Sequence, residues 1–386
     1  MRPLRLSLPT LGGLLLLVGC LNDDPVGVNL TVNSNPYTRA GTRWFYIAAD
    51  EVAWDFAPFG YNRITGLPFD DLANVFVQPG PDRIGDTYLK VLYREYTDAS
   101  FTQLKPVAPE WRHLGTLGPL IRAVVGDTIK IVFRNSSSCD PECRPYSMHP
   151  HGVFYEKDSE GAPYDDGTSG EDKADDLVYP GQTHVYTWLV PPRAGPGPMD
   201  PSSILWMYHS HVDETRDTYT GLVGPIIVMD PGTGIPSGRP RDVDREFVTL
   251  FMVNDENASW LIDRNIATYA GKPSRVDPAD PDFEESNLMH GINGLVFGNL
   301  DGLTMRMGER VRWYVMGMGT EIDIHTPHWH GQTGIWAGMR TDVLEIFPAS
   351  MKVFDMVPDN PGTWLFHCHV NDHLDAGMIA TFTVNR

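Results

Sequence analysis

The sequence is short of three things: positive charge, long apolar runs and amphipathic helical patterns. Lys and Arg number 30 against 50 Asp and Glu, and the resulting net charge of -20 argues against nucleic acid as a partner, because phosphate backbones need basic surface. The same excess of acids favours cationic ligands. After residue 20 no apolar run reaches the roughly 18 residues of a membrane-spanning helix, so we expect the body of the protein to be soluble. The ten Trp residues argue against disorder.

The first 20 residues have the pattern of an export signal. Residues 1–20 read MRPLRLSLPTLGGLLLLVGC, in which two arginines precede an apolar run too short to cross a membrane. Leu17–Cys20 resembles a bacterial lipobox, which would make Cys20 the lipidated N-terminus of the mature protein. An ordinary signal peptide with an incidental cysteine is the alternative. We therefore expect a periplasmic or cell-surface protein anchored by a lipid, with residues 21–39 as a tether.

The other three cysteines fall into two groups. Cys139 and Cys143 lie in the turn-rich segment SCDPECRP, where an exported chain permits a local disulfide. A metal-binding pair is the alternative, although no partner cysteines lie nearby. Cys368 stands alone between two histidines, so it is either a buried thiol or a metal ligand.

Short apolar runs separated by turns indicate an all-β protein. Gly (37) and Pro (32) are abundant, which suits short strands and turns. A Pro/Gly-rich segment, 231–244, is the best linker and predicts two β-sandwich domains, 40–232 and 245–386. The strand-like runs are IKIVF (129–133), HVYTWLV (184–190), GPIIVM (224–229), FVTLFMV (247–253), RVRWYVM (310–316) and MIATFTV (378–384).

The two predicted domains repeat one pattern. Each has a Gly-led strand in mid-course, VVGDTIKIVFRN (124–135) and RMGERVRWYVMG (306–317), and a His-x-His-Gly after it. A second His-x-His precedes the closing strand of each domain. The four His-x-His motifs are HPHG (149–152), HSH (209–211), HWHG (328–331) and HCH (367–369).

These motifs predict a metal centre. Side chains at i and i+2 of a strand share a face, so each His-x-His presents two imidazoles in one direction, and Cys368 would face the other way. A thiolate, two imidazoles and a weak axial Met form the blue, type 1 copper site. Cys368, His373 and Met378 have C-x4-H-x4-M spacing, and His325 can supply the second imidazole. A single His-x-His is usually only a strand with polar faces, but four of them with this spacing indicate metal.

The motifs HPHG, HSH, HTPHWHG and HCHVNDHLDAGM resemble the four copper motifs of the multicopper oxidases. Segments such as YREYTDASF (93–101) and ESNLMHGINGLVFGNLDGLTM (285–305) extend the resemblance to ceruloplasmin over nearly all of 40–386. The resemblance implies two cupredoxin-like Greek-key domains, similar to the first and last of the six in ceruloplasmin.

The resemblance also implies four copper ions and their ligands. His325, Cys368, His373 and Met378 would hold the type 1 ion, and His149 and His328 the type 2 ion. Ser210 replaces the cysteine in the first domain, so only the second domain can hold a type 1 centre. The ligands implied for the type 3 pair are His151, His209, His211, His330, His367 and His369.

The implied activity couples one-electron oxidation of a donor to four-electron reduction of O2 to water. The trinuclear cluster needs ligands from one domain of each type. A single chain could close on itself. Alternatively, three chains in a closed ring would place each cluster between subunits. The resemblance to small two-domain oxidases implies this homotrimer, which we expect.

Iron is the expected donor. Asp372 immediately precedes the type 1 ligand His373, and EESNLMH places Glu285 and His290 in the E-x4-H pattern of the ceruloplasmin ferrous site. Carboxylates and an imidazole suit Fe(II). Glu284 and Glu321 are neighbouring acids with less support. One departure from ceruloplasmin is Gln332, which stands where a His is found there, outside the ligand set.

Three other readings compete with a ferroxidase. They are a laccase-like oxidase of phenols or other organic donors, a Cu(I) oxidase, and a copper-binding structural cupredoxin without activity. The intact ligand set weighs against the last. Against a Cu(I)-oxidising surface, we expect Met305, Met307, Met316 and Met318 to be core or type 1 surroundings. His113 and His184 lie outside every motif and are expected to be structural or exposed.

Overall fold

The computed structural model describes residues 35–386, and strands dominate this range. The predicted signal and lipobox, 1–20, and most of the tether, 21–39, lie outside the described residues. Within the described range, no helix combines the length and apolar character needed to cross a bilayer. Residues 35–386 pack as one unit, so the boundary between the two predicted domains stays a prediction.

The N-terminal half, residues 35–230, is a sandwich of two sheets. Its strands are β1 (Thr42–Asp55), β2 (Thr87–Tyr96), β3 (Ile121–Val124), β4 (Thr128–Asn135), β5 (His149–Pro150), β6 (Phe154–Tyr155), β7 (Thr183–Leu189), β8 (Ser203–His209) and β9 (Val223–Met229). One sheet has the order β2-β1-β4-β7-β6 and the other β3-β9-β8-β5. Ile131 and Tyr208 meet in the core between them.

The C-terminal half, residues 245–386, is built alike. Its strands are β10 (Arg245–Asp255), β11 (Leu288–Ile292), β12 (Thr304–Arg306), β13 (Val311–Gly317), β14 (Pro327–Trp329), β15 (Gly334–Trp336), β16 (Met339–Thr341), β17 (Ser350–Met356), β18 (Gly362–Cys368) and β19 (Ile379–Asn385). The sheets have the orders β11-β10-β13-β17-β15-β16 and β12-β19-β18-β14. In each half one histidine-bearing strand, β5 or β14, therefore lies at the edge of its sheet.

Helices are short and serve as connections. Among the described residues the α-helices are α1 (Asn74–Val77), α2 (Glu214–Thr220), α3 (Ile262–Tyr269), α4 (Pro281–Ser286) and α5 (Asn371–Asp375). Single 3-10 turns occur at Pro109–Leu114, Lys157–Ser159, Gly170–Lys173, Pro192–Ala194 and Pro273–Arg275. The expected scarcity of helices is confirmed.

Alternation of side chains explains why the predicted runs form strands. Along β4, Ile129, Ile131 and Phe133 are fully buried, while the residues between them are partly exposed. One apolar face buried against the opposite sheet and one more polar face is the pattern of a sandwich strand. All six apolar runs singled out in the sequence lie in strands, namely β4, β7, β9, β10, β13 and β19.

The two halves pack through apolar faces of their sheets. Leu205 and Met207 of β8 form a buried cluster with Leu250 of β10 and with Tyr314 and Met316 of β13. Residues on alternate positions of β8, such as Tyr208, face the core of the N-terminal half instead. One strand thus contributes both to its own sandwich and to the contact with the other half.

Buried ion pairs also join the halves. Arg122 of β3 binds Glu246 of β10 through two hydrogen bonds of 3.1 and 2.6 Å, and the Tyr314 hydroxyl donates to the same carboxylate. Lys90 of β2 pairs with Glu256, and both side chains are fully buried. A buried charge without its partner is strongly destabilising, so these pairs make the arrangement of the halves specific.

We predict that Glu246→Ala lowers the free energy of unfolding by about 3–5 kcal/mol, because it leaves the Arg122 guanidinium buried without a counter-charge. Urea denaturation measures the loss. The control is Glu345→Ala, which removes the carboxylate partner of Lys352 at a position where Glu345 is 61% exposed, and it should cost about 1 kcal/mol or less. Equal losses of stability from the two substitutions would contradict the claim that the buried pair of Arg122 and Glu246 matters more than an exposed pair.

Candidate metal centres

A thiol and two imidazoles converge in the C-terminal half. Cys368 ends β18, His373 lies on α5, and His325 precedes β14. The Cys368 Sγ lies 3.9 Å from the His325 Nδ1 and 3.7 Å from the His373 Nδ1, and these two nitrogens are 3.0 Å apart. All three residues are buried. The geometry brings one sulfur and two nitrogens around a common point.

The surroundings of Cys368 favour a thiolate. Burial alone would raise the pKa of the thiol, but the two adjacent imidazoles and the backbone N–H groups of Thr326 and Val370 outweigh it and lower the pKa to about 6. The thiolate is the form that binds metal. At neutral pH this sulfur is therefore ready to act as a ligand.

Met378 is held next to this group by the backbone. Its N–H donates to the His373 carbonyl (2.9 Å), and its carbonyl accepts from the Cys368 N–H (3.1 Å). The Met378 side chain is fully buried and belongs to the same apolar cluster as Cys368. The residue predicted as axial ligand thus lies against the predicted thiolate and one predicted imidazole.

Asp323 is a residue of this centre that sequence reasoning missed. Its fully buried carboxylate lies 3.1 Å from the His325 Nε2 and accepts hydrogen bonds from the backbone N–H groups of Val253 (2.7 Å) and Thr320 (2.8 Å). A carboxylate on one ring nitrogen leaves the lone pair on the other, so the His325 Nδ1 is directed to the metal. The sequence signal that could have found it is the D-x-H pattern, in which Asp323 precedes His325 by two residues.

A second group in the C-terminal half consists of imidazoles only. The ligand atoms of His328, His330 and His367 all lie within 4.8 Å of one another, and the Nε2 atoms of His330 and His367 are 2.9 Å apart. The ring of His369 lies 5.4 Å from that of His328, centroid to centroid. His328 is paired with His367 across β14 and β18. The structure therefore brings together all four histidines of HWHG and HCH.

The N-terminal half holds a matching group. His149 of β5 is paired with His209 of β8, and the Nε2 atoms of His151 and His209 are 3.1 Å apart. The ring of His211 lies 5.0 Å from that of His149. His149 and His151 line an open cleft of about 400 Å³ that also contacts Phe154 and Arg193. This group is therefore reached from the surface of the chain.

Burial favours the neutral form of several of these imidazoles. Burial, reinforced by the neighbouring histidines, lowers the pKa of His151 to about 4 and that of His209 well below its usual value. The pKa values of His328 and His367 are lowered for the same reasons. Neutral imidazoles are the form that coordinates metal, and the Nε2 atoms of neighbouring rings lie close together in both groups.

The two imidazole groups are separate within one chain. Among residues 35–386, no ring contact joins a histidine of HPHG or HSH to one of HWHG or HCH, although contacts are dense within each group. Each group lies at the edge strand of its sheet, β5 or β14. Each group offers about half of the ligands predicted for a trinuclear cluster.

Two of the residues predicted to bind Fe(II), His290 and Asp372, lie beside the thiol group. The buried ring of His290 on β11 lies 5.4 Å from that of His373, centroid to centroid. Burial and the neighbouring His373 lower the pKa of His290 to about 4, although the exposed carboxylate of Asp372 acts in the opposite direction. Glu285 is exposed on α4, just before β11. The ligand atoms of Glu285, His290 and Asp372 do not form a group within 4.8 Å as the histidine groups do.

The remaining side chains singled out in the sequence have structural positions. His113 is buried, and its Nε2 accepts from the Val248 N–H across the two halves. His184 Nε2 bonds to the carbonyl of Asp158. Gln332 is buried and donates to the Asn360 carbonyl. These contacts support structural roles.

Two other expectations have different outcomes. Cys139 and Cys143 are joined by a disulfide, and Cys368 is the free cysteine among the described residues. The expectation that all four methionines are core is wrong for Met307, which is 50% exposed because it follows the edge strand β12. The other three, Met305, Met316 and Met318, are buried.

The donor sets fit copper. Thiolate with two imidazoles and a nearby thioether is the ligand combination of blue-copper sites, and imidazoles suit copper in either oxidation state. The low pKa values of Cys368, His151 and His209 supply these ligands in the deprotonated form. The carboxylate of Asp323 gives His325 the outer partner that metal-binding histidines have.

Comparisons with known proteins agree with this chemistry. Two family models, both described as multicopper oxidase, match residues 114–233 and 271–386. Hephaestin of Rattus norvegicus is 49% identical over 352 residues, which are 90% of this chain and 30% of hephaestin. The ferroxidase HEPHL1 of Mus musculus is 47% identical (89% of this chain, 29% of the relative), and human ceruloplasmin is 43% identical (89% and 31%). The chain thus spans about a third of the length of these relatives.

Solved structures support the fold. A crystal structure of a multicopper oxidase superposes with a TM-score of 0.53 at 18% identity, covering 89% of this chain and 88% of that one. The multicopper oxidase mgLAC gives a TM-score of 0.56 at 19% identity, covering 89% and 86%. These likenesses confirm the predicted all-β architecture of cupredoxin-like sandwiches.

We predict that Asp323→Asn weakens copper binding at the thiol group by about 10–100-fold, because His325 loses the carboxylate that sets its tautomer. Competition with a chelator, followed by the visible absorption of the thiolate–copper site, measures the change. Glu321→Gln is the control, because this exposed residue lies on the same loop without contacting His325. Unchanged affinity in Asp323→Asn would refute the role given to this carboxylate.

Proposed function

Because the chain belongs to the multicopper oxidase family, we propose that it is a ferroxidase, which oxidises Fe(II) one electron at a time and reduces O2 to water. The observation that carries the proposal is the distance of 5.4 Å between the ring centroids of His290 and His373, because an ion bound at His290 would lie next to the residue proposed as a copper ligand. Relatives named ferroxidase HEPHL1, hephaestin and ceruloplasmin cover nearly the whole chain.

We assign copper ligands on this basis. Copper bound in these groups would supply one-electron redox chemistry and the site of O2 reduction. His325, Cys368, His373 and Met378 would hold the type 1 ion, and His149 with His328 the type 2 ion. The type 3 pair would be held by His151, His209, His211, His330, His367 and His369.

The chain itself links the two kinds of centre. Cys368 is bonded on both sides to histidines of the imidazole group, His367 and His369, and the His367 Nδ1 lies 2.7 Å from the Cys368 carbonyl. Electrons would therefore have a covalent route from Cys368 to the imidazole group, through His367 on one side or His369 on the other. On the side of His367 this connection is buried, with Phe366 and Trp329 packed around Cys368.

Exposed carboxylates explain why a cation would be the donor. Asp372 is exposed near His290, and Glu285 is exposed on α4 five residues before it, whereas His290 itself is buried and neutral. Two carboxylates would bind Fe(II) and hold Fe(III) until an acceptor takes it, and the imidazole would complete a mixed N/O ligand set. The net charge of -20 adds a general attraction for cations.

We predict that Glu285→Ala with Asp372→Ala lowers kcat/KM for Fe(II) about tenfold or more, because losing both carboxylates removes at least about 1.4 kcal/mol of binding. Oxidation of a neutral phenol, which needs no carboxylate, should change little. Steady-state kinetics with both donors measure this.

The matched control is Asp282→Ala with Asp375→Ala, which removes two exposed acids from the same helices, α4 and α5, and leaves iron kinetics unchanged. A laccase-like enzyme would instead show the same Fe(II) kinetics in the Glu285/Asp372 variant as in the wild type.

We further propose a homotrimer in which each trinuclear cluster forms between two chains. The two imidazole groups of one chain make no ring contact with each other among the described residues, and each lies at a sheet edge. His149 and His151 line a cleft that is open to a partner, and the neighbouring Phe154 is 40% exposed. A closed ring of three chains would complete all clusters equally.

Complementation of two inactive variants tests the ring. One chain carries His149→Ala and His151→Ala, and the other carries His328→Ala and His330→Ala. Each alone should be inactive, but a mixed ring has one junction with both intact groups, so equal co-expression should restore about a quarter of the wild-type activity. Clusters formed within single chains would give no activity in the mixture.

We also propose export with a lipid on Cys20, although this residue lies outside the described range. The signal-like pattern of residues 1–20 supports export. The disulfide between Cys139 and Cys143 is consistent with an oxidising compartment.

A further inference from the structure

The N-terminal half contains a position equivalent to the thiol centre. Ser210 stands between His209 and His211, as Cys368 does between its histidines. The Ser210 N–H donates to the Leu222 carbonyl, as the Cys368 N–H does to that of Met378. Tyr146 precedes His149 by three residues, as His325 precedes His328. The equivalent residues are thus a hydroxyl, a phenol and a leucine, which do not form a copper site.

A buried carboxylate fills this position instead. Asp217 of α2 is 1% exposed and accepts hydrogen bonds from the Ser210 hydroxyl (2.6 Å) and from the Trp260 indole N–H (2.9 Å). The backbone N–H of Asp213 donates to it as well (3.2 Å). Both carboxylate oxygens are therefore occupied by donors, which is how a buried carboxylate is made tolerable.

Trp260 comes from the other half of the chain. It follows β10, and the guanidinium groups of Arg144 and Arg216, both in the N-terminal half, lie 3.9 and 4.0 Å from its ring centroid. Cation–π contacts of this kind hold the indole in place. The C-terminal half thus supplies the donor that reaches Asp217.

The same network continues to both histidine motifs. The Ser210 hydroxyl oxygen accepts from the Ser147 N–H (3.1 Å), and the Ser147 hydroxyl oxygen accepts from the His211 N–H (3.0 Å). The Ser147 hydroxyl donates to the Gly161 carbonyl (2.6 Å). Ser147 lies two residues before His149, so the segments carrying HPHG and HSH are tied together at this serine pair.

We propose that Asp217 is a positioning residue for the N-terminal imidazole group: by fixing the Ser210 hydroxyl it orients Ser147 and, through it, the histidines of both motifs. Trp260 makes this orientation depend on the C-terminal half of the same chain. The position of Cys368, a proposed copper ligand in the C-terminal half, is thus taken in the N-terminal half by Ser210, which is part of a hydrogen-bond network that joins the two halves. The inference rests on the proposed function, because the oriented group is the one assigned to the trinuclear cluster.

Asp217→Asn tests the role, because the amide keeps the size of the side chain but offers one acceptor oxygen in place of two. In the copper-loaded full chain we expect an unchanged blue absorption from the Cys368 centre. Copper affinity of the imidazole groups should fall about tenfold, at the low end of the loss caused by removing a direct partner of a metal ligand, because Asp217 acts through Ser210 and Ser147. Chelator competition with metal analysis, and the type 2 copper signal in electron paramagnetic resonance, measure the effect.

Two further variants separate positioning from general damage. Trp260→Phe removes the indole N–H but retains a ring between the two arginines, and it should weaken the same coppers less than Asp217→Asn does. Asp213→Asn is the control, because this residue caps α2 by accepting from the Arg216 N–H, and it should leave copper affinity unchanged. The blue absorption reports in every variant that the C-terminal half is folded.

The possible outcomes are distinct. Full copper affinity and an unaltered type 2 signal in Asp217→Asn would overturn the inference while leaving the ferroxidase proposal intact. Failure of the wild type to bind copper beyond the Cys368 centre would overturn the proposed function itself. Equal losses in Asp213→Asn and Asp217→Asn would show that the effect belongs to α2 as a whole and would also overturn the positioning role.

Discussion

Alternation of side chains along β18 is the constraint on which both metal centres depend. At the end of this strand His367 groups with His328 and His330, whereas Cys368 groups with His325 and His373, so neighbouring residues belong to two different groups. The thiolate then needs partners from separate elements, and it obtains them from α5 and from the segment before β14. The imidazoles need the edge strand β14 beside β18, and the pairing of His328 with His367 provides it.

The packing of the two halves against each other determines where the two imidazole groups lie. The apolar contact between β8 and the sheet of β10 and β13, together with the buried pair of Arg122 and Glu246, fixes the two sandwiches against each other. In this arrangement the imidazole groups stay apart and each remains at a sheet edge. Under the proposed ligand assignment, each group would be one half of a cluster, and association with identical chains would join the halves.

Features encoded locally were predictable from the sequence, whereas those made by distant contacts were not. The six strand-like runs and the C-x4-H spacing of Cys368 and His373 depend on alternation and spacing within short stretches of chain, so they were predictable locally. His325 lies 43 residues from Cys368, and the resemblance to the multicopper oxidases carried its assignment. The orientation of His325 by Asp323 was missed because an acid near a histidine is common in any acidic chain. The contact of Trp260 with Asp217 spans 43 residues and two halves, and no local pattern signals it.

The number of Fe(II) ions oxidised per O2 consumed tests most directly the claim that the protein reduces O2 to water at a complete trinuclear cluster. An enzyme that collects four electrons before releasing product consumes one O2 for every four Fe(II) ions and forms no hydrogen peroxide. Simultaneous recording of O2 uptake and Fe(III) formation by the copper-loaded protein should give this ratio. One O2 for every two Fe(II) ions, with peroxide released, would contradict the account of a complete trinuclear cluster.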